Sequence, residues 1–217
     1  MPEAAPLTIV NVGYLSTNYW VISAGRRRLL VDLGYPGTMG KMRARLKQMD
    51  IPLTEMRYAL ATHYHIDHAG LGQELKMAGV PLLVMETQVA AIPLMNQFTK
   101  PHDHYVEVTL EGNKVISCAE SREVLGRIGI PGEIISTPGH SDDSVSLLLD
   151  DGSSFTGDLT PMIGAGGEAG FTGDLTPLEA AWGEAGEVVK ASWRLLWELG
   201  ARTVYPAHGP VRAISVD

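Results

Sequence analysis

His63-Tyr64-His65-Ile66-Asp67-His68 places three of the chain's seven histidines within six residues. Neutral imidazole and carboxylate are the usual ligands of zinc, and one strand-end loop can present several of them to a shared point. In an extended start, His63 and His65 point the same way, because side chains alternate with period two. Asp67 and His68 then face around the turn and could serve a second ion. Two more histidines lie on loops stiffened by Pro and Gly, in Thr137-Pro138-Gly139-His140 and Pro206-Ala207-His208-Gly209-Pro210. Alone, each reads as an ordinary loop histidine; beside the first cluster, each becomes a candidate ligand. Asp158 ends Phe155-Thr156-Gly157-Asp158, where a carboxylate can bridge two cations with one oxygen for each. Two zinc ions with these ligands and one hydroxide carry a formal charge of about +1, so a bridging water is expected to ionise near neutral pH.

These side chains must be positioned by strands and rigid turns. Leu7–Val12, Tyr19–Ser23 and Arg28–Asp32 read as strands, with a turn at Ala24-Gly25. The basic run Arg26-Arg27-Arg28 reads as an exposed turn between strands. Met39, Met42, Leu46 and Met49 recur at helical spacing, and that helix should end before Pro52. Arg57–Thr62 is a short strand running directly into His63. Leu71, Leu75 and Ala78 mark a helix closed by Gly79, followed by a strand at Pro81–Met85. Further on come the strand Lys114–Ser117, the helix Ser121–Ile128 and the strand Glu133–Ser136. Val145–Leu149 and Ser153–Thr156 flank Asp150-Asp151-Gly152, a strong hairpin signal. A long helix over about Leu178–Leu199 carries Trp182, Val189, Trp193 and Trp197 close to one stripe and leads into the strand Thr203–Tyr205. Strands alternating with helices predict an α/β design.

Composition removes several function classes. The chain has 217 residues, 45% hydrophobic and 19% charged, which is globular and argues for one domain over 1–217. Its net charge of −8 repels phosphate backbones, so no nucleic-acid partner is expected. No apolar stretch approaches the roughly 18 residues of a membrane span, so no membrane partner is expected either. The single cysteine, Cys118, excludes an internal disulfide, and no signal-peptide pattern opens the sequence. The expectation is a cytoplasmic protein with a small-molecule substrate.

His63-x-His65-x-Asp67-His68, His140, Asp158 and His208, in this order, resemble the metal-ligand set of the metallo-beta-lactamase superfamily over about residues 7–212. The resemblance implies a four-layer αββα sandwich, with two mixed sheets face to face, outer helices, and the site at their shared edge. It implies that His63, His65 and His140 hold one metal, that Asp67, His68 and His208 hold the other, and that Asp158 bridges. Two Zn2+ per chain are expected, with Fe or Mn as alternatives. Asp32, in Leu30-Val31-Asp32-Leu33-Gly34, matches the family's early strand-end Asp, which supports the metal loop. Members with Asp at the bridging position resemble glyoxalase II-like thioesterases, lactonases and phosphodiesterases more than antibiotic-destroying β-lactamases. Nine residues follow His208, which leaves no room for the helical substrate domain of glyoxalase II. The flavodiiron pattern has Glu in place of the second His, whereas His65 is present here.

The expected function is a dinuclear-zinc hydrolase in which a metal-bridging hydroxide attacks an ester, lactone or thioester carbonyl. Asp67 or Asp158 would orient the hydroxide and shuttle its proton. Phosphodiester hydrolysis on the same site is the runner-up. A mononuclear-iron oxygenase resembling persulfide dioxygenases would instead use His63, His140 and Asp158, and a metal-stabilised binding module would leave no open coordination position. Residues 86–112 form a candidate lid, with His102 and His104 as loop residues and Lys100 or Tyr105 as candidate substrate contacts. Phe155–Pro161 recurs letter for letter as Phe171–Pro177, so the region 159–177 reads as an insertion carrying a tandem copy. Connectivity favours Asp158 over Asp174 as the bridging ligand, because the short hairpin turn fixes its register.

Overall fold

The computed structural model describes residues 6–159 and 176–214, without the side chains of 176–185. Apolar residues on both faces of the strands force a layered arrangement. In the first sheet β1 (Thr8–Asn11), β2 (Trp20–Ala24), β3 (Arg27–Val31) and β4 (Met56–Leu60) lie in that order. The pairs β1–β2 and β2–β3 are antiparallel and β3–β4 is parallel. A bridge between Ala59 and Leu82 continues the sheet into the parallel pair β5 (Leu83–Met85) and β6 (Lys114–Ile116). The second sheet contains β7 (Gly132–Ser136), β8 (Val145–Leu149), β9 (Ser153–Gly157), β10 (Thr203–Pro206) and β11 (Arg212–Ala213), in the order β11-β10-β9-β8-β7. Only β9–β10 is parallel there.

The helices are α1 (Met39–Gln48), α2 (Ile66–Ala69), α3 (Gly72–Met77), α4 (Ser121–Arg127) and α5 (Thr176–Glu198). Side chains alternate across a strand, and each face has its own cover. Val21 and Leu30 turn outward onto Met42 and Leu46 of α1 and Leu75 of α3. Trp20, Ile22, Leu29 and Val31 turn inward to meet Ile134, Leu147, Leu149 and Phe155 of the second sheet. Helix α4 adds Val124 and Leu125 to that inter-sheet core. On the far side Ile135, Leu148 and Val204 pack under Val189, Trp193 and Leu196 of α5. The result is the four-layer αββα sandwich with two mixed sheets that the sequence predicts.

Element boundaries moved by one or two residues, with two instructive exceptions. Arg27 and Arg28 belong to β3 rather than to the turn, and Glu55 accepts from Arg26 Nε at 2.7 Å and Arg28 Nε at 3.0 Å. That shared carboxylate explains how a basic run enters a strand beside buried neighbours. Strand β11 has two residues, too few for alternation to show in a sequence. Among the described residues, no helix is long and apolar enough to cross a membrane.

Candidate metal centre

Four chain segments end at one edge of the sandwich. His63 follows β4 by two residues, and His65, Asp67 and His68 occupy the start and first turn of α2. His140 lies between β7 and β8, Asp158 directly follows β9, and His208 follows β10. Gly157 lets the two sheets meet here: its φ is +55°, and a Cβ on it would fall 2.3 Å from Thr62 Oγ1. No side chain fits that approach, so glycine is required. The β8–β9 hairpin pairs Leu147 with Phe155 and Leu148 with Ser154, which delivers Asp158 to the edge. Asp174, its counterpart in the second copy, lies outside the described residues.

All seven expected ligands converge. His65 Nδ1 is 3.0 Å from both His63 Nε2 and His140 Nε2. Ligands on one tetrahedral zinc at about 2.0–2.1 Å stand roughly 3.3 Å apart, so this triad suits such an ion. His208 Nε2 lies 3.2 Å from Asp67 Oδ2, and His68 Nε2 lies 3.3 Å from the same oxygen. Asp158 spans the two groups: one oxygen is 3.3 Å from His68 Nε2 and 3.6 Å from His140 Nε2, the other 3.3 Å from His208 Nε2. Three triads could therefore hold a cation, namely His63–His65–His140, His63–His68–Asp158 and Asp67–His68–His208.

Supporting groups set which nitrogen faces the centre. His208 Nδ1 is 2.8 Å from the Ser16 carbonyl, so it carries the proton and leaves the Nε2 lone pair facing inward. Asp32, buried and held at φ +62°, accepts from the Thr62 amide at 2.9 Å and from its hydroxyl at 2.8 Å. Its other oxygen lies 3.3 Å from His68 Nδ1. Thr17 Oγ1 donates to Asp67 Oδ2 at 3.2 Å.

The charge balance fits bound cations. His68 has no solvent exposure, yet neither ring nitrogen makes a hydrogen bond, and Asp158 Oδ1 is likewise buried and unpaired. Buried polar atoms normally find partners, and a cation at this point supplies one to each. Burial works against a charged His68, but the carboxylates of Asp32, Asp158 and Asp67 hold it well above the usual imidazole range. Burial, reinforced by His68 and His65, pushes His63 the opposite way. Burial also opposes ionisation of Asp67, yet the contact with His68 holds its carboxyl well below the usual range. The carboxylates are held ionised and His63 neutral, while the positive charge that the carboxylates draw onto His68 marks the point where a bound cation would take the place of its proton.

Four supporting residues escaped the sequence reading. Gln88, fully buried, donates to the carbonyls of Ala61 at 3.0 Å and Thr62 at 3.3 Å, and accepts from Met85 N at 3.1 Å. Asp143 accepts from Tyr64 N at 2.7 Å. Thr17 and Ser16 complete the set. Asp143 had a faint signal, an acid three residues past His140; the others had none. The segment 86–112 is anchored by Gln88, Ile92, Met95 and Val108, all buried, while Phe98 stays exposed with its ring 6.4 Å from His65. His102 stands apart from the clusters, beside Asp103 at 3.5 Å. His102, His104 and Lys100 line a cleft of about 490 Å³ with Tyr35 and Phe98. The Tyr105 hydroxyl is turned away to Met95 Sδ and Val108 N.

Residues 12–208 match the family model of the metallo-beta-lactamase superfamily. The chain is 29% identical over 198 residues to the lactamase-like protein nscB of Trichophyton equinum, covering 90% of this chain and 48% of that protein. It is 28% identical over 202 residues to an atrochrysone carboxyl ACP thioesterase of Aspergillus fumigatus, covering 90% of this chain and 38% of that protein. The chain thus spans about half the length, or less, of these curated relatives. A beta-lactamase from Chitinophaga pinensis has the same fold, with a TM-score of 0.64 at 18% identity, over 95% of this chain and 77% of that one.

Proposed function

Because the chain belongs to the metallo-beta-lactamase superfamily, we propose that it is a metal-dependent hydrolase of activated acyl compounds, thioesters first and lactones or esters next. His63, His65 and His140 would hold one ion, Asp67, His68 and His208 the other, with Asp158 between them. Zinc, two ions per chain, suits these N and O donors. When bound, such ions supply Lewis-acid chemistry, acidifying water and polarising a carbonyl. The observation that carries this reading is the fully buried His68 ring, whose nitrogens make no hydrogen bond yet lie 3.3 Å from the carboxylates of Asp32, Asp67 and Asp158. A one-iron site on His63, His140 and Asp158 leaves that ring and Asp67 without a cation, which favours two ions.

The protein's own residues would do the positioning. Asp67 and Asp158, ionised and half-buried, would accept hydrogen bonds from the attacking water and take its proton at a carboxylate oxygen. Thr17 keeps Asp67 turned inward through the contact to Oδ2. Phe98 and the segment around it would form the substrate-side rim. The name of the Aspergillus relative supports the thioester preference. The test is metal content of the purified protein, followed by a panel of thioesters, lactones, phosphodiesters and a β-lactam. Two zincs and thioester turnover that stops on chelation are expected; a fully loaded protein inert on every acyl compound would overturn the reading.

A further inference from the structure

A cavity of about 240 Å³ lies beside the metal centre, between α5 and the outer face of the second sheet. His140, Asp158 and His208 form one side, while Leu159, Trp193, Val204 and Pro206 make apolar walls. Arg212 is the one Lys or Arg on the lining among the described residues. Strand register explains its direction: Arg212 pairs with Val204 across β10–β11, and directly paired residues share a face. Val204 packs into the cluster under α5, so Arg212 projects into the same layer. Its Nε is buried and has no hydrogen-bond partner among the described residues. Native structures seldom leave a charged donor buried and unpaired.

We propose that Arg212 binds a carboxylate of the substrate, so that the preferred substrates are acyl compounds with an apolar, ring-sized body ending in one negative charge. The proposal rests on the hydrolase reading above and names its substrate class. The two Nη groups of a guanidinium donate in a fixed fork that matches the two oxygens of a carboxylate. One cation neutralises one charge, and the Asp158 carboxylate on the same cavity disfavours a dianion. Apolar walls with one fixed polar group are what a small-molecule site requires. A ligand anchored on Arg212 extends along those walls toward His140, Asp158 and His208. Hydrolysis adds water across the C–S bond and yields acid and thiol; Arg212 holds charge and exchanges no proton.

Two thioesters that differ only in charge test this, S-acetyl-4-mercaptobenzoate and its carboxamide, with metal-loaded wild type, Arg212→Gln and Arg212→Lys. Arg212→Gln should raise KM for the carboxylate about tenfold or more, with kcat and the carboxamide KM changed less than about twofold. Arg212→Lys should recover part of the loss, and it carries the comparison alone if melting shows Arg212→Gln unfolded. Calorimetry with 2-naphthoate gives a readout independent of turnover, and its binding should disappear in Arg212→Gln. Equal losses on both thioesters, or naphthoate binding that ignores Arg212, would overturn the proposal. If wild type hydrolyses neither thioester but captures naphthoate through Arg212, the hydrolase reading fails and the carboxylate site stands.

Discussion

The two halves of the proposed metal centre are built differently. The half after β4 puts four candidate ligands within six residues, with His63 and His68 buried, and braces that stretch through hydrogen bonds or close contacts with Asp32, Thr62, Gln88 and Asp143. The half from the second sheet brings one ligand from each of three strand ends, with His140 and His208 exposed. His208 has the Ser16 carbonyl behind it, whereas among the described residues the His140 ring has polar contacts with other site residues alone. A buttressed half can stand ready without ions; an exposed half would depend on bound ions to hold its register. Site rigidity is thus unequally distributed, and ligand substitutions should separate the halves.

The largest effect is expected for His68→Ala. Metal uptake and turnover should both collapse, beyond the roughly 10–100-fold loss typical of removing a supporting group. The metal-free protein should also melt lower, because Asp32, Asp67 and Asp158 then face one another with no cation. His208→Ala should lose metal as well but leave the metal-free melting point nearly unchanged. Equal destabilisation by both would erase the distinction between the halves.

Asp158→Asn against Asp174→Asn comes next. The first should lose metal and activity and the second should keep both; the reverse result, read by metal analysis, would move the bridging role to the second copy. Asp32→Ala follows, with metal affinity lowered roughly 10–100-fold while all seven ligands remain. Isothermal titration with Zn2+ reads it directly, and an unchanged affinity would show that the buttress is dispensable.

Gln88→Ala should cost about 1–3 kcal/mol of stability by leaving buried carbonyls unpaired. Activity per folded, metal-loaded molecule should change little, which denaturant titration alongside assays would check. The smallest effect belongs to Glu55, at the far end of β3. Its hydrogen bonds to Arg26 and Arg28 hold its carboxyl below the ordinary 4.5. A depressed folded value means the contribution is present above the unfolded pKa and fades as pH falls through the folded one. Glu55→Gln should therefore flatten the acid side of the stability curve and leave metal uptake untouched.

The contrast between halves also marks what the sequence made legible. The motif His63 to His68 is contiguous, so its spacing shows directly that several ligands share one point. His140, Asp158 and His208 were readable because each follows a strand and stands beside Gly, while the resemblance supplied their grouping. Strands alternating with helices made an α/β design legible, while the resemblance supplied the four layers; in the structure β2, β3 and β8 are apolar on both faces and covered twice. Gln88, Thr17 and Ser16 were not legible, since their roles exist only after distant segments meet. Arg212 was hidden for a related reason: its direction comes from pairing with Val204, and two-residue strands leave no periodic trace.

The missing side chain of Gly157 sets a dimension of the site. A methyl group there would meet Thr62 at 2.3 Å, against 3.4 Å or more for ordinary contact. The end of β9 would have to retreat by about 1 Å, twice the roughly 0.5 Å tolerance of a working constellation. The hydrophobic layers use the neighbours Phe155 and Leu159 but not position 157 itself, so they would register the change less than the site does. Position 157 is thus a gauge block between the sheets: an alanine allele there would yield an intact, well-expressed protein whose two sets of ligands no longer meet.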